Sequence, residues 1–363
     1  MNDTLTVSQV DTRSTRSRRA RIAMGVLRTV GAFALAGLIL AWALPRVIGV
    51  TTHDVLKAFW LVSPLQVTVL AALWIFGLWV HASVLMASLP GLTRGQGMTL
   101  NLTGSAVANV LPLGGAAGIS LNYYMVRKWG YGRHEFAAYQ VVSNVVVVLS
   151  KLVLPVAAGV LLLTENVRLV HGLGPTMVLA AALSAVVLVA VGAALVNDRA
   201  GRRAADLTAR AFAAVRRLLR RETNVETVSE SIMHTRDLVA TVFREQGARL
   251  LVGITGYTAS QALLLWGCLT AVGWAPSPAE VMAAFAVERF LTVVPITPAG
   301  VGPAEAGAAA VLIALGLPPT TALAGVLLYR GFIVAAEVPV GGAWLLGWFG
   351  LDRLQGRKKL HAA

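Results

Sequence analysis

Residues 293–307, VVPITPAGVGPAEAG, constrain this chain more than any other stretch. They hold three prolines, three glycines and one acid, Glu305. In a water-soluble protein such a run forms a surface loop. Here both flanks, 281–287 and 308–328, are apolar. A backbone broken by proline in lipid leaves N–H and C=O groups without partners, at several kcal/mol per group. Such a break is tolerated only where protein buries it or it lines a wet cavity. Residues 278–318 therefore read as two half-helices meeting at a broken tip. Pro295, Thr297, Pro298, Gly300 and Gly302 form that tip.

An earlier stretch has the same design. Residues 109–118, NVLPLGGAAG, place Pro112 ahead of Gly114 and Gly115 between apolar flanks. Two Gly/Pro-interrupted segments in corresponding halves point to a transporter-like site between them. The plainer alternative is two ordinary spans kinked by proline.

Composition agrees with a membrane setting. The chain has 363 residues, 56% hydrophobic and 13% charged, with mean hydropathy +0.71. Soluble domains carry about 25% charged residues. The net charge of +14 does not call for nucleic acid, because the basic residues lie between apolar spans, as the positive-inside rule expects. Cys268 is the one cysteine, so no intrachain disulfide or multi-cysteine metal site can form. There is no Gly-x-Ser-x-Gly, no phosphate-binding loop and no His-Glu-x-x-His, so the chain reads as a non-enzyme without metal or cofactor.

Taken in order, residues 1–28 form a basic, disordered cytoplasmic tail held near anionic headgroups. Spans are expected at about 29–49, 64–88, 136–163, 174–196, 250–272 and 319–349. An interfacial helix is expected over 52–62. His81 reads as a hydrogen-bonded histidine, since no second ligand stands at metal spacing. Residues 197–249 form a polar linker; from 198 on it carries 11 Arg against 7 Asp or Glu. Within it, Leu207, Phe212, Val215, Leu218 and Leu219 share one face of a basic amphipathic helix over 203–221, which suits a membrane surface. Residues 351–363 form a basic tail.

Charge fixes the topology by parity. The rule places both termini, the Arg94 region, 127–134 and 198–249 inside. For the count to close, 95–126 must begin and end inside, and 278–318 must begin and end outside. The expected fold is therefore an all-α polytopic membrane protein. It has about six full spans and two broken re-entrant helical hairpins in an inverted-repeat arrangement. The first membrane half is 29–196 and the second 250–350.

Six charged residues lie in or beside apolar runs: Lys151, Glu288, Arg289, Glu305, Arg330 and Glu337. Each isolated charge at a helix centre costs about 2.5–3.5 kcal/mol on insertion scales. They must pair, face a wet cavity or meet an anionic ligand. Lys151 and Arg330 follow their breaks by similar distances, which offers one cation from each half. We expect a cavity attractive to an anionic headgroup, served by Lys151, Arg330 and Arg289 and lined by Tyr329 and Asn144, with Glu288 and Glu305 holding or releasing the cations. Asn109, Asn122 and Gln140 are further candidates for its lining. The competing reading has Arg330 pair with Glu305 or Glu337 simply to fasten helices.

Two long segments, LPLGGAAGISLNYYMVRKWGYGRHEFAAYQVV and ERFLTVVPITPAGVGPAEAGAAAVLIALGLPPTTALAGVLLYRG, carry a resemblance. Together they resemble the flippase-like family, the transmembrane region of bacterial lysylphosphatidylglycerol synthetases, which also occurs as stand-alone proteins. Pro295, Thr297, Pro298, Gly300, Gly302, Glu305, Tyr329 and Arg330 match that family's second motif. Ala299 stands where the motif has glycine, and the first break lacks the acid many members carry. The resemblance covers roughly 30–350. It implies lipid translocation, or service to envelope lipid or glycan synthesis, in the bacterial cytoplasmic membrane. The chain ends at Ala363, so a stand-alone member without the soluble aminoacyl-transferase domain is expected. The alternatives are a non-transporting membrane partner of an envelope-synthesis enzyme and a small-solute secondary transporter.

Overall fold

The computed structural model describes residue 38 and residues 44–110, 114–164, 173–218, 224–292 and 300–361. The expected tail 1–28, most of the 29–49 span, and Pro112, Pro295, Thr297 and Pro298 lie outside the described residues. All described elements are helical. A short turn α1 (Leu44–Ile48) leads to α2 (Thr52–Trp60), where Thr51 Oγ1 accepts from the Asp54 N–H as N-cap.

α3 (Pro64–Ser88) starts on a reciprocal box between Ser63 and Gln66, with Pro64 in the first turn, where it needs no N–H partner. α4 (Arg94–Val110) and α5 (Gly114–Lys128) pack against each other. α6 (Arg133–Thr164) and α7 (Leu173–Val196) follow. The chain then bends by 113° into α8 (Asp198–Leu218). α9 (Val225–Ala271) runs unbroken for 47 residues. The polar approach at 225–249 and the apolar span after it are thus one rod of roughly 70 Å.

α10 (Pro278–Leu291) opens on a second capping box, Ser277 with Glu280. It packs against α11 (Pro303–Ala314). α12 (Pro319–Arg330) passes through a six-residue π segment, Gly331–Ala336, into α13 (Glu337–His361). Four helices among the described residues are long and apolar enough to cross a membrane: α3, α6, α9 and the rod Pro319–Asp352. Counting the bent pair of α7 and α8 as one span would give five. The chain is an all-α polytopic membrane protein. By contrast, α4, α5, α10 and α11 have 17, 15, 14 and 12 residues, each short of the ~20 that a span needs.

The central seam joins α3 and α9. Added side chains at three glycines would collide across it: at Gly77 with Ser260 Oγ at 2.7 Å, at Gly253 with Val84 Cγ2 at 2.9 Å, and at Gly267 with Leu70 Cδ2 at 2.7 Å. The contacts Leu70–Gly267, Gly77–Ser260 and Val84–Gly253 step by seven residues in opposite directions. This is an antiparallel heptad register in which each small residue receives a neighbour. Lipid tails are as apolar as leucine, so close van der Waals approach through such residues drives helix association. α13 packs on α4 in the same way. A Cβ at Gly341 would fall 2.2 Å from the Leu102 carbonyl, and Trp344 Nε1 donates to Thr99 Oγ1 at 3.0 Å. The second half of the chain is thereby clamped onto the first broken pair.

The basic helix α8 packs on α9 through Ala205, Ala209 and Ala213, all buried. Leu207 and Phe212 are exposed. These two residues of the apolar face read from the sequence are therefore directed away from the protein, and the alanines face α9.

Candidate functional site

Between the two broken pairs, α3, α9 and the α12–α13 rod, the bundle leaves a cavity of about 400 Å³. Trp74, Leu78 and Leu264 form an apolar wall. Lys151, Arg289, Arg330 and Glu337 bring charge to it. His81, Asn101, Tyr257 and Gln261 add neutral polar groups.

The charged side is built on the second break. Glu305 lies in the first turn of α11, and its Oε2 accepts the Gly302 N–H at 2.6 Å. Gly302 has φ +96°, in the left-handed region that favours glycine. The other oxygen, Oε1, accepts from Arg330 Nε at 2.6 Å. Arg330 Nη1 donates to Glu288 Oε1 at 2.9 Å. Glu288 Oε2 lies 2.8 Å from Arg289 Nε, and Arg289 Nη2 donates to the Tyr329 hydroxyl. A continuous ladder thus runs Gly302–Glu305–Arg330–Glu288–Arg289–Tyr329. Glu288, Glu305 and Tyr329 are buried to 0%, 1% and 0% exposure, and Arg330 to 5%. Charges this deep require direct, hydrogen-bonded partners.

Arg330 is the last residue of α12 before the π segment. Such π segments are rare and collect at functional sites. On a regular helix Glu337 lies two turns from Arg330 on a similar face. After the wider π turn, its carboxylate instead accepts from Asn109 Nδ2 at 3.5 Å, on α4. Of the two partners considered for Arg330 from the sequence, Glu305 is found. The other carboxylate in the ladder is Glu288.

Lys151 reaches the cavity from α6. Its Nζ donates to Thr292 Oγ1 at 3.0 Å, and that hydroxyl donates to the Arg289 carbonyl at 2.7 Å. Among the described residues no carboxylate lies within 4 Å of Lys151. On the opposite wall His81 Nδ1 is 3.0 Å from Asn101 Oδ1 and the ring stacks on Tyr257 at 4.3 Å. Among the described residues His81 Nε2 and Asn101 Nδ2 are buried without a hydrogen-bond partner. Glu288 Oε2 and Arg289 Nε form an ion pair that is not a hydrogen bond.

The structure brings Lys151, Arg289, Arg330 and Gly300 onto one cavity. Glu288, Glu305 and Tyr329 stand behind them as buried partners. Asn144 lies elsewhere. It lines a neighbouring cavity of about 260 Å³ with Asn122 and Gln140, and its amide donates to the Gln140 carbonyl at 2.6 Å. His81, Asn101, Ser105 and Ala108 lie on both cavities. Gly114 and Gly115 begin α5 at the first break. The expected site did not include Asn101, Tyr257, Gln261 or Glu337. Glu337 is also the charge that balances the cavity: with Glu288 and Glu305 it makes three carboxylates against Lys151, Arg289 and Arg330.

Neither the curated proteins nor the solved structures returned a match. The family described as the lysylphosphatidylglycerol synthase TM region matches residues 29–341, most of the chain and both broken pairs. This protein belongs to that family.

Proposed function

We propose that the protein translocates an anionic lipid, or a lipid-linked envelope precursor, through the central cavity. The supporting observation is Lys151, a cation on a polar cavity with a hydroxyl but no carboxylate within ion-pair reach among the described residues. Arg330 is engaged by Glu305 and Glu288, so its part is to hold the wall. Lys151 supplies the mobile cation for a phosphate. Orphaned polar atoms on His81 and Asn101 give the rest of a headgroup a place to bond.

In this reading the short limbs α4–α5 and α10–α11 are re-entrant hairpins from opposite faces, and the chain lies in a bacterial cytoplasmic membrane with both termini inside. It works without cofactor and without chemistry of its own. A 400 Å³ cavity favours passage over a solid scaffold that only anchors an envelope-synthesis enzyme.

The test is translocation in proteoliposomes with fluorescent anionic and zwitterionic phospholipids. Transfer faster than in protein-free vesicles, with the anionic lipid preferred, is expected. No transfer above those vesicles turns the reading toward the partner-protein role.

A further inference from the structure

A second cavity, of about 820 Å³, lies between the end of α3 and the middle of α9. It shares no lining residue with the central one. Two arginines line it, Arg94 and Arg249, and no acid does. The central cavity balances its charges; this groove does not.

Its walls are amphipathic along their length. Arg249 sits where α9 turns from polar to apolar, followed at once by Leu250, Leu251 and Val252. Val80, Val252, Gly253 and Gly256 give the lining an apolar part beside the arginines. The glycines keep the groove open, since a Cβ at Gly256 would lie 3.1 Å from Val80 Cγ1.

Arg94 is set in place before any ligand arrives. Its guanidinium lies 4.0 Å from the Trp79 ring centroid. Its Nη1 donates to the Trp79 carbonyl and to Ser83 Oγ, both at 3.1 Å. Both bonds use one nitrogen of a group with five N–H donors. The remaining donors form the fork that suits a phosphate. Arg249 Nη1 donates to Gln246 Oε1 at 3.2 Å on an exposed surface. Trp79 is 47% exposed, as expected for a tryptophan at the membrane–water boundary.

We infer that this groove binds one anionic phospholipid outside the central path, its phosphate between Arg94 and Arg249 and its upper chain along Val80, Val252, Gly253 and Gly256. Charge complementarity selects an anionic headgroup, and the apolar floor selects a lipid over a free anion. Such a lipid ties the middle of α9 to the end of α3, next to the heptad seam.

The full-length protein in detergent micelles is offered equal amounts of phosphatidic acid and phosphatidylcholine, and retained lipid is counted by native mass spectrometry. The native protein is expected to keep one phosphatidic acid in preference. Arg249→Gln and Arg94→Gln are each expected to lower that retention about fivefold, the factor for about 1 kcal/mol per basic residue near an anionic surface. Arg249 is exposed, so its variant folds, and Arg202→Gln on the exposed face of α8 is expected to retain lipid as the native does. The inference is overturned if Arg249→Gln keeps native retention, if the two lipids are kept equally, or if inorganic phosphate competes as well as the lipid. Loss in Lys151→Gln but not in Arg249→Gln also overturns it, by placing the lipid in the central cavity.

Discussion

Arg330 and Glu305 stand 25 positions apart and meet at 2.6 Å, both nearly free of solvent contact. The pair joins the rod that carries α12 and α13 to the first turn of α11. Glu305 also accepts the Gly302 N–H, so one carboxylate both caps the helix and holds the arginine. Breaking a buried pair by removing one charge costs about 3–5 kcal/mol, because the other charge is left without a partner. Glu305→Gln is therefore expected to lower thermal stability in detergent by that order. Replacing both, as Glu305→Gln with Arg330→Met, is expected to recover part of the loss. A single variant as stable as the native protein would mean that the ladder carries no stability.

The seam between α3 and α9 gives a second expectation. Gly77→Val forces a side chain onto Ser260, and Gly253→Val forces one onto Val84. Overpacking of this kind costs about 1–3 kcal/mol. Gly247→Ala on the same helix meets nothing within 4 Å and is expected to stabilise slightly, since alanine favours a helix interior by ~1 kcal/mol. Thermal unfolding of the three variants side by side checks the register. Equal melting of Gly77→Val and the native protein would contradict it.

The first break separates its two glycines. A Cβ on Gly114 would fall 1.9 Å from the Ala108 carbonyl oxygen, whereas one on Gly115 meets nothing within 4 Å. Gly114→Ala is expected to lose monodisperse protein on size exclusion, and Gly115→Ala to keep it. Similar profiles for the two variants would contradict the close approach of α4 and α5 at that point.

Much of this architecture is legible in the residues, and the reasons are local. Ser63-Pro64 and Ser277-Pro278 announce the starts of α3 and α10, because a serine cap and a first-turn proline are nearest-neighbour chemistry. The Gly/Pro clusters mark the breaks because few other residues tolerate such backbone. The seam was not read from the residues: Leu70, Gly77 and Val84 do step by seven against Gly253, Ser260 and Gly267, but no local pattern pairs α3 with α9. The partner of Arg330 was harder. Glu288 lies 42 positions away on a different helix, and no local pattern brings the two together. No local pattern announces the π segment between Arg330 and Glu337 either, after which Glu337 meets Asn109. His81 read as a bonded histidine, which it is, but its place on the cavity depends on how α3 is rotated against α9. Asn144 carried the right chemistry on a face directed to the neighbouring cavity.

The central claim is that Lys151 supplies the cation for a headgroup inside the cavity. Its most direct test is the initial rate of anionic-lipid transfer in proteoliposomes for native protein, Lys151→Gln and Lys151→Arg, at matched reconstitution and folding. Losing one charge-assisted hydrogen bond costs about 1.5–3 kcal/mol, so Lys151→Gln is expected to slow transfer by roughly tenfold or more, and Lys151→Arg to keep a substantial part of it. Native-rate transfer by folded Lys151→Gln would contradict the account.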